Sequence, residues 1–495
     1  MKSISMKSII PYIIVAGILF SGCKKAEAPI VPVVIPKAND VNLFVWNNMH
    51  DYYLWTADVP ALSDPKYATA DNLNALLNNY SDPKVLFKSL KYWPDSIDKW
   101  SFIVDNSKSI TDWISGISQT QGFDFMLGRI GTSDNLFGFV RYIYKGSPAE
   151  KAGMKRGDIF VKVNDQQLTV SNYPNLLFAT LSYKLSFATI LGTRHNYKIT
   201  PIARTVNMTA REMQENPILM DTMFTINNQK IGYLVYNGFN SDFDLQLNDV
   251  MQKFKNANIN QMVLDLRYNG GGSVQTSGYL ASMIYGNDST KLFAKAQYNP
   301  ELQKFLVKKY GEQEFNNNFV FMIRPTKTYQ ATPINTLNLK KIYIIVSDNT
   351  ASASELLING LRPYLNVRVV GINTTGKYVG SITITDDANP SDKWAMQPIV
   401  VKYANSQGVT DFVHGLTPDI NAQEDIANLL PFGDPNETLL KAALNDMQGI
   451  AVTSQTLKSA QMGLRKVADS QSFKPHAKDM YINPDKLKGL KKAAQ

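Results

Sequence analysis

The sequence predicts a multidomain α/β protein with a small helical N-terminal domain, a β-rich domain and an α/β core. Three observations point there. From about Asp40 to Ile103, apolar and aromatic residues recur at helical spacing. From Gly122 to Thr169 the pattern changes to short alternating strands broken by glycine turns. From about Lys230 to Asp419, strand-like runs alternate with helical ones. A chain of 495 residues can bury several cores, and 44% hydrophobic with 19% charged residues excludes a fibrous or disordered class. The net charge of +9 is spread over the chain, partly at Lys2, Lys7, Lys24 and Lys25 and partly between Lys486 and Lys492. No basic stripe interleaves with aromatics, so no nucleic-acid partner is expected.

Residues 1–22 read as an export signal: Lys2 and Lys7, then an apolar run from Ile9 to Phe20, then the small Ser21 and Gly22. The run is too short for a stable bilayer span, which needs about 20 apolar residues. Cys23, the single cysteine, follows directly. The segment resembles a bacterial lipoprotein signal, with Phe20 where such signals usually carry leucine. The resemblance implies lipidation at Cys23, a membrane partner through that lipid, and an exported chain on the cell envelope, at the outer membrane facing periplasm or surface. A cysteine committed to lipid leaves no disulfide. Residues 23–39 carry Pro29, Pro32 and Pro36, which break helix and favour an extended tether.

Residues 40–117 form the helical domain. Asp40 is a candidate N-cap for a helix burying Val41, Phe44, Val45, Met49 and Tyr52, and Asp71 for a second with Leu73, Leu76 and Leu77. Residues 118–205 form the β-rich domain. Within it, Pro148 opens a short helix, Gly153 suits its left-handed cap, and Gly157-Asp158 turns into a strand from Ile159 to Val163. This run resembles a PDZ domain. The resemblance implies capture of an extended peptide end by strand addition, with the carboxylate loop at Gly122, Phe123, Asp124 and Phe125. Asp124 departs from the usual apolar loop by placing a charge there.

Residues 206–450 form the α/β core. Strands are expected at Ile231 to Tyr236, Met262 to Leu266, Ile342 to Val346 and Val367 to Val370, a helix from Phe243 to Phe254, and a closing helix from Glu437 to Met447. Residues 451–495 are polar, basic and poorly patterned, and are expected to be partly disordered. Two strand ends carry chemistry. After Ile342 to Val346 comes Thr350-Ala351-Ser352-Ala353-Ser354-Glu355, where small residues permit a sharp turn into a helix N-terminus. After Val367 to Val370 comes Thr374-Thr375-Gly376-Lys377, the lysine standing 25 residues beyond Ser352.

These segments resemble the carboxyl-terminal processing (tail-specific) serine proteases, an ordered series of motifs from about Asp40 to Gln448. Asp265 to Gly272, Asp98-Lys99-Trp100-Ser101-Phe102 and Gly415-Leu416-Thr417-Pro418-Asp419 belong to it. The resemblance implies a crotonase-like core with Ser352 as nucleophile and Lys377 as general base. The oxyanion donors would be Ala353 and either Gly271 or Gly272. It also implies no metal or organic cofactor, and protein or peptide substrates with flexible C-termini. Lysine can serve as base only when neutral, so it must be desolvated. Family members often carry glutamine four residues after the lysine. Ser381 stands there, a candidate for orienting the amine. Ser354 reads as a turn residue.

Two rival readings compete with this one. Gly371-x4-Gly376-Lys377 approaches a phosphate-binding loop, but Tyr378 replaces the magnesium-binding hydroxyl and a strand follows. The four histidines, His50, His195, His414 and His476, are scattered. The alternative from another class is a peptide-binding lipoprotein of the same architecture with weak or no turnover.

Overall fold

The structure is a computed structural model describing residues 35–130, 132–193, 196–286, 288–326, 328–386, 393–426, 429–452, 464–473 and 477–482. The expected leader, Cys23 and most of the tether lie outside these residues. Among the described residues no helix is long and apolar enough to cross a membrane.

The N-terminal helices are α1 (Asp40–Tyr52), α2 (Ala70–Leu77) and α3 (Pro83–Ser89). Phe44, Val45, Met49 and Tyr52 are buried as their spacing required. The caps differ from expectation by one and two residues. Asn39 caps α1, its side chain accepting from the Asn42 N–H at 2.7 Å. Thr69 precedes α2, and Asp71 falls in its first turn. Asparagine caps as well as aspartate, so the sequence left a near tie.

The β-rich domain contains β1 (Phe123–Ile130), β2 (Leu136–Ile143), β3 (Ile159–Val163), helix α4 (Tyr173–Phe178), β4 (Ser182–Thr193) and β5 (Asn196–Thr209), with the sheet order β1-β2-β3-β4-β5. Pro148–Lys151 forms the short helix, and Gly153 closes it at φ 71°. The sheet continues to Thr209, four residues beyond the expected boundary.

The core sheet is built from β6 (Ile218–Ile226), β7 (Gln229–Tyr236), β8 (Gln261–Asp265), β9 (Lys341–Val346) and β10 (Asn366–Gly371), with Ile420–Asn421 at its edge. β7 to β10 run parallel, and β6 closes antiparallel on β7. Helix α5 (Asp244–Asn256) connects β7 to β8, α6 (Val274–Tyr285) follows the glycine loop, and α7 (Ala353–Leu361) follows β9. The β-branched runs of β9 and β10 are buried on both faces, as parallel strands under helices must be. All active loops therefore leave one end of the sheet, the C-terminal ends of the parallel strands.

The C-terminal region adds strands that its sequence pattern does not announce. Leu464–Asp469 forms strand β11 on the outer edge of β1, and Met480–Tyr481 forms β12 between Gly272–Ser273 and Val379–Ser381. Ala468, Asp469, Asp479, Met480 and Ile482 are buried. The segment has too few residues of clear period to read as strand, because its partners are 100 or more residues away and supply the apolar faces.

Candidate active site

Ser352 sits at the start of α7 with φ 65° and ψ −117°, a backbone conformation that a side chain bearing Cβ adopts only at a cost of about 1–3 kcal/mol. The surroundings enforce it. Asn269 O accepts from the Ala351 N–H and the Ser354 hydroxyl, both at 3.1 Å. Thr350 Oγ1 donates to Leu266 O at 2.8 Å. Ser354 is thus a turn anchor. Ser352 is fully buried, and its Oγ has no hydrogen-bond partner. Gly271, at φ 112°, packs directly on it: a Cβ there would lie 2.6 Å from Ser352 Cβ.

Glu355, one turn into α7, ties the two chemical loops together. Its carboxylate accepts from the Ser352 N–H at 2.8 Å, Thr374 Oγ1 at 2.5 Å, the Gly376 N–H at 2.7 Å and the Lys377 N–H at 2.8 Å. Burial pushes its carboxyl upward while these four donors pull it back. The lysine loop is held from behind by Leu416, whose N–H donates to Thr374 Oγ1 at 2.6 Å.

Lys377 is fully buried. Its Nζ donates to Asp479 Oδ1 at 2.5 Å and lies 4.7 Å from the centre of the Trp100 ring. Burial pulls the amine below its ordinary range, and the Asp479 carboxylate opposes this. Burial likewise pushes Asp479 up. Both directions favour the neutral forms, which is what a lysine base needs. Trp100 is set by Asp98, whose Oδ1 accepts from the Trp100 and Ser101 N–H groups and whose Oδ2 accepts from Tyr53.

Ser381 does not orient the amine. Its Oγ is within hydrogen-bond distance of Gln397 Oε1 at 2.9 Å and Met480 O at 3.1 Å. The serine side chain is too short to reach Lys377, and Asp479 occupies that position. Of the three expected oxyanion donors, the Gly271 N–H is taken by Asn269 Oδ1 at 2.9 Å. Gly272 lies between Phe239 and Met480 in strand pairing. Ala353, first residue of α7, presents an N–H with no acceptor inside the helix. Asp124 is buried in an ion pair with Arg141, so the Gly122–Phe125 segment is not an open apolar loop. Among the described residues no group of side chains could hold a metal ion.

Three family models match in order: the peptidase S41 N-terminal domain at residues 40–102, a PDZ domain at 139–179, and peptidase family S41 at 230–422. The chain belongs to peptidase family S41. The S41 match spans both Ser352 and Lys377. A crystal structure of a Bacteroides fragilis protein assigned to the S41 proteases aligns with a TM-score of 0.64 and 26% identity, covering 82% of this chain and 97% of that one. The carboxy-terminal processing protease CtpA of Bacillus subtilis is 23% identical over 295 residues, 59% of this chain and 55% of the relative. The chloroplastic C-terminal processing peptidase of Tetradesmus obliquus is 24% identical over 293 residues, 57% and 56%. The aligned part spans about half the length of these two relatives.

The S41 match ends before Asp479, and sequence reasoning missed that residue altogether. It also gave Glu355 no role, although Ser352-x-x-Glu355 is the spacing of a helix capping box and could have signalled one. Trp100 lies in the Asp98–Phe102 motif, whose sequence gives no reason for its aromatic ring.

Proposed function

We propose that the chain is a serine peptidase that cleaves protein or peptide substrates near their C-termini, with Ser352 as nucleophile and Lys377 as general base. One observation carries this reading: the single buried carboxylate of Glu355 fixes the Ser352 turn and the Lys377 turn as one unit. Two loops joined in this way keep the hydroxyl and the amine in a constant relation, the condition for proton transfer between them.

In the proposed reaction Ser352 Oγ attacks the scissile carbonyl carbon as its proton passes to neutral Lys377 Nζ. The four-carbon lysine stem lets the amine turn from Asp479 to the hydroxyl. The oxyanion faces the N-terminus of α7, with the Ala353 N–H as donor. Collapse breaks the C–N bond, and the leaving amine takes the proton from Lys377. Water, deprotonated by the Lys377 amine, then attacks the acyl carbon, and the proton passes to Ser352 Oγ as the ester C–O bond breaks. The preference for C-termini is supported by the processing activity named for the Bacillus and Tetradesmus relatives. The location proposed is the cell envelope, through lipid on Cys23, and radiolabelled palmitate incorporated by the wild type but not by Cys23→Ser is the expected result.

The test of the reaction is fluorophosphonate labelling and cleavage of an unstructured protein by wild type, Ser352→Ala and Lys377→Ala. We expect labelling to vanish in Ser352→Ala and cleavage to fall by about 10³-fold or more in both. Cleavage that survives Ser352→Ala overturns the assignment. A wild type that binds peptides but neither labels nor cleaves would instead be the peptide-binding lipoprotein, a reading favoured by the unpartnered Ser352 hydroxyl and the Lys377–Asp479 pair.

A further inference from the structure

A short run from Ala477 to Ile482 touches each of the three loops that build the candidate site. Ala477 lies against the glycine loop, its carbonyl oxygen so close that a Cβ on Gly270 would fall 1.8 Å from it. Asp479 holds the Lys377 amine. Tyr481 pairs with Ser273 on one side and Ser381 on the other, and the Ile482 N–H donates to Ser381 O at 3.0 Å. Between Ala477 and Asp479 stands Lys478, which no step of the proposed reaction uses.

The Lys478 side chain reaches the seam between the nucleophile loop and the base loop. Its Nζ donates to Asp348 O at 2.8 Å and to Thr375 Oγ1 at 3.2 Å. Asp348 stands four residues before Ser352, and Thr375 two before Lys377. The Thr375 hydroxyl donates its own hydrogen to Asp348 O at 2.8 Å, which closes a triangle of hydrogen bonds. The Thr375 N–H donates to Thr350 O at 2.9 Å beside it. Burial pulls the Lys478 amine below its ordinary range, the Asp348 carboxylate opposes this, and the Lys466 amine adds to it. An ammonium carries three N–H donors and a neutral amine two, so both acceptors are served in either state.

Glu355 joins the same two loops elsewhere, at Ser352 and at Thr374, Gly376 and Lys377. Asp348, at the start of the nucleophile turn, receives nothing from it. A join at one place leaves a hinge, and a second join removes it. We propose that Lys478 is a positioning residue of the peptidase: its amine locks the nucleophile loop to the base loop at Asp348 and Thr375, and so sets the approach of Lys377 Nζ to Ser352 Oγ. This rests on the peptidase reading in calling the loops catalytic, so one arm of the test reads the seam without any chemistry.

Lys478→Met keeps most of the stem and removes the donors, whereas Lys478→Ala opens a space that propylamine matches. In the full-length chain, amide hydrogen exchange of a peptide covering residues 372–379 is expected to be about tenfold faster in Lys478→Met, with residues 342–346 unchanged. Fluorophosphonate labelling at rising probe concentration separates the limiting rate from the half-saturating concentration. We expect Lys478→Met to lower the limiting rate about tenfold and to leave half-saturation within about twofold. Propylamine added to Lys478→Ala is expected to raise its limiting rate at least about fivefold, and to leave wild type unchanged. Unchanged exchange over residues 372–379 overturns the proposal, as does a limiting rate equal to wild type or a loss that propylamine leaves in place. A wild type that does not label sinks the peptidase reading, and the exchange result then stands or falls for the lock alone. Far-ultraviolet circular dichroism checks each variant's fold; should Lys478→Ala not fold, the exchange and limiting rate of Lys478→Met decide.

Discussion

Lys377 is held from two sides by two kinds of carboxylate. On the core side, Glu355 grips the backbone of the lysine together with Ser352, Thr374 and Gly376, and its oxygens are shared among four donors. On the C-terminal side, Asp479 grips the amine itself, and its bond to Nζ is a contact between two ionisable groups. The first carboxylate acts as a rivet: it sets where the loops are and touches no proton in the reaction. The second acts on protonation, because an anion beside an amine favours the ammonium. Position and charge state of the same side chain are thus controlled from regions more than 100 residues apart.

Breaking the rivet should cost most. Glu355→Ala leaves three backbone N–H groups and a hydroxyl buried without their acceptor, each costing roughly 1–3 kcal/mol when unsatisfied. We expect a loss of at least about 3 kcal/mol in denaturant unfolding, with Ser352 labelling slowed by about 100-fold or more in the protein that still folds. Glu355→Gln, which keeps an acceptor oxygen but turns an amide donor toward other donors, should fall between this variant and wild type.

The Asp479 side is sharpened by pH. The amine is a base only when neutral, so labelling of Ser352 should rise with pH until Lys377 is deprotonated and then level off. Asp479 holds the proton on, and Asp479→Asn removes that hold. The acidic limb should then move to lower pH by about one unit or more, with an unchanged plateau shape. A limb that stays in place would mean that the amine leaves Asp479 before it titrates.

The smallest effect is expected at Ser381→Ala. It removes one buried hydrogen bond to Gln397 or Met480, about 1 kcal/mol by thermal unfolding, and should leave the pH profile of labelling where it was. A shifted profile would tie this hydroxyl to the lysine after all.

Much of this architecture was legible in order along the chain. Ile342 to Val346 and Val367 to Val370 are apolar runs of strand length ending in small residues, and such runs announce parallel strands and the loops after them. The Pro148 to Gly157 segment is legible for the same local reason, since proline and glycine mark turn positions by their own backbone preferences. Asp479 was not legible. A single aspartate in a polar stretch means nothing until folding brings the Lys377 amine beside it. The orientation of Lys377 shows the limit from the other direction: counting four residues on leads to Ser381, whereas the group that reaches the amine comes from the far end of the chain. Asp124 falls between the two cases, visible as an odd charge in an apolar loop, but interpretable only with Arg141 and Ser470 beside it.

The two C-terminal strands also set a timetable. A ribosome that has finished the S41 region has already made Ser352, Glu355 and Lys377, yet β1 still has a bare edge and the lysine amine has no anion beside it. Both are completed only by residues 464–482, which are synthesised later. The nascent chain therefore carries both places incomplete until a later segment of the same chain reaches them.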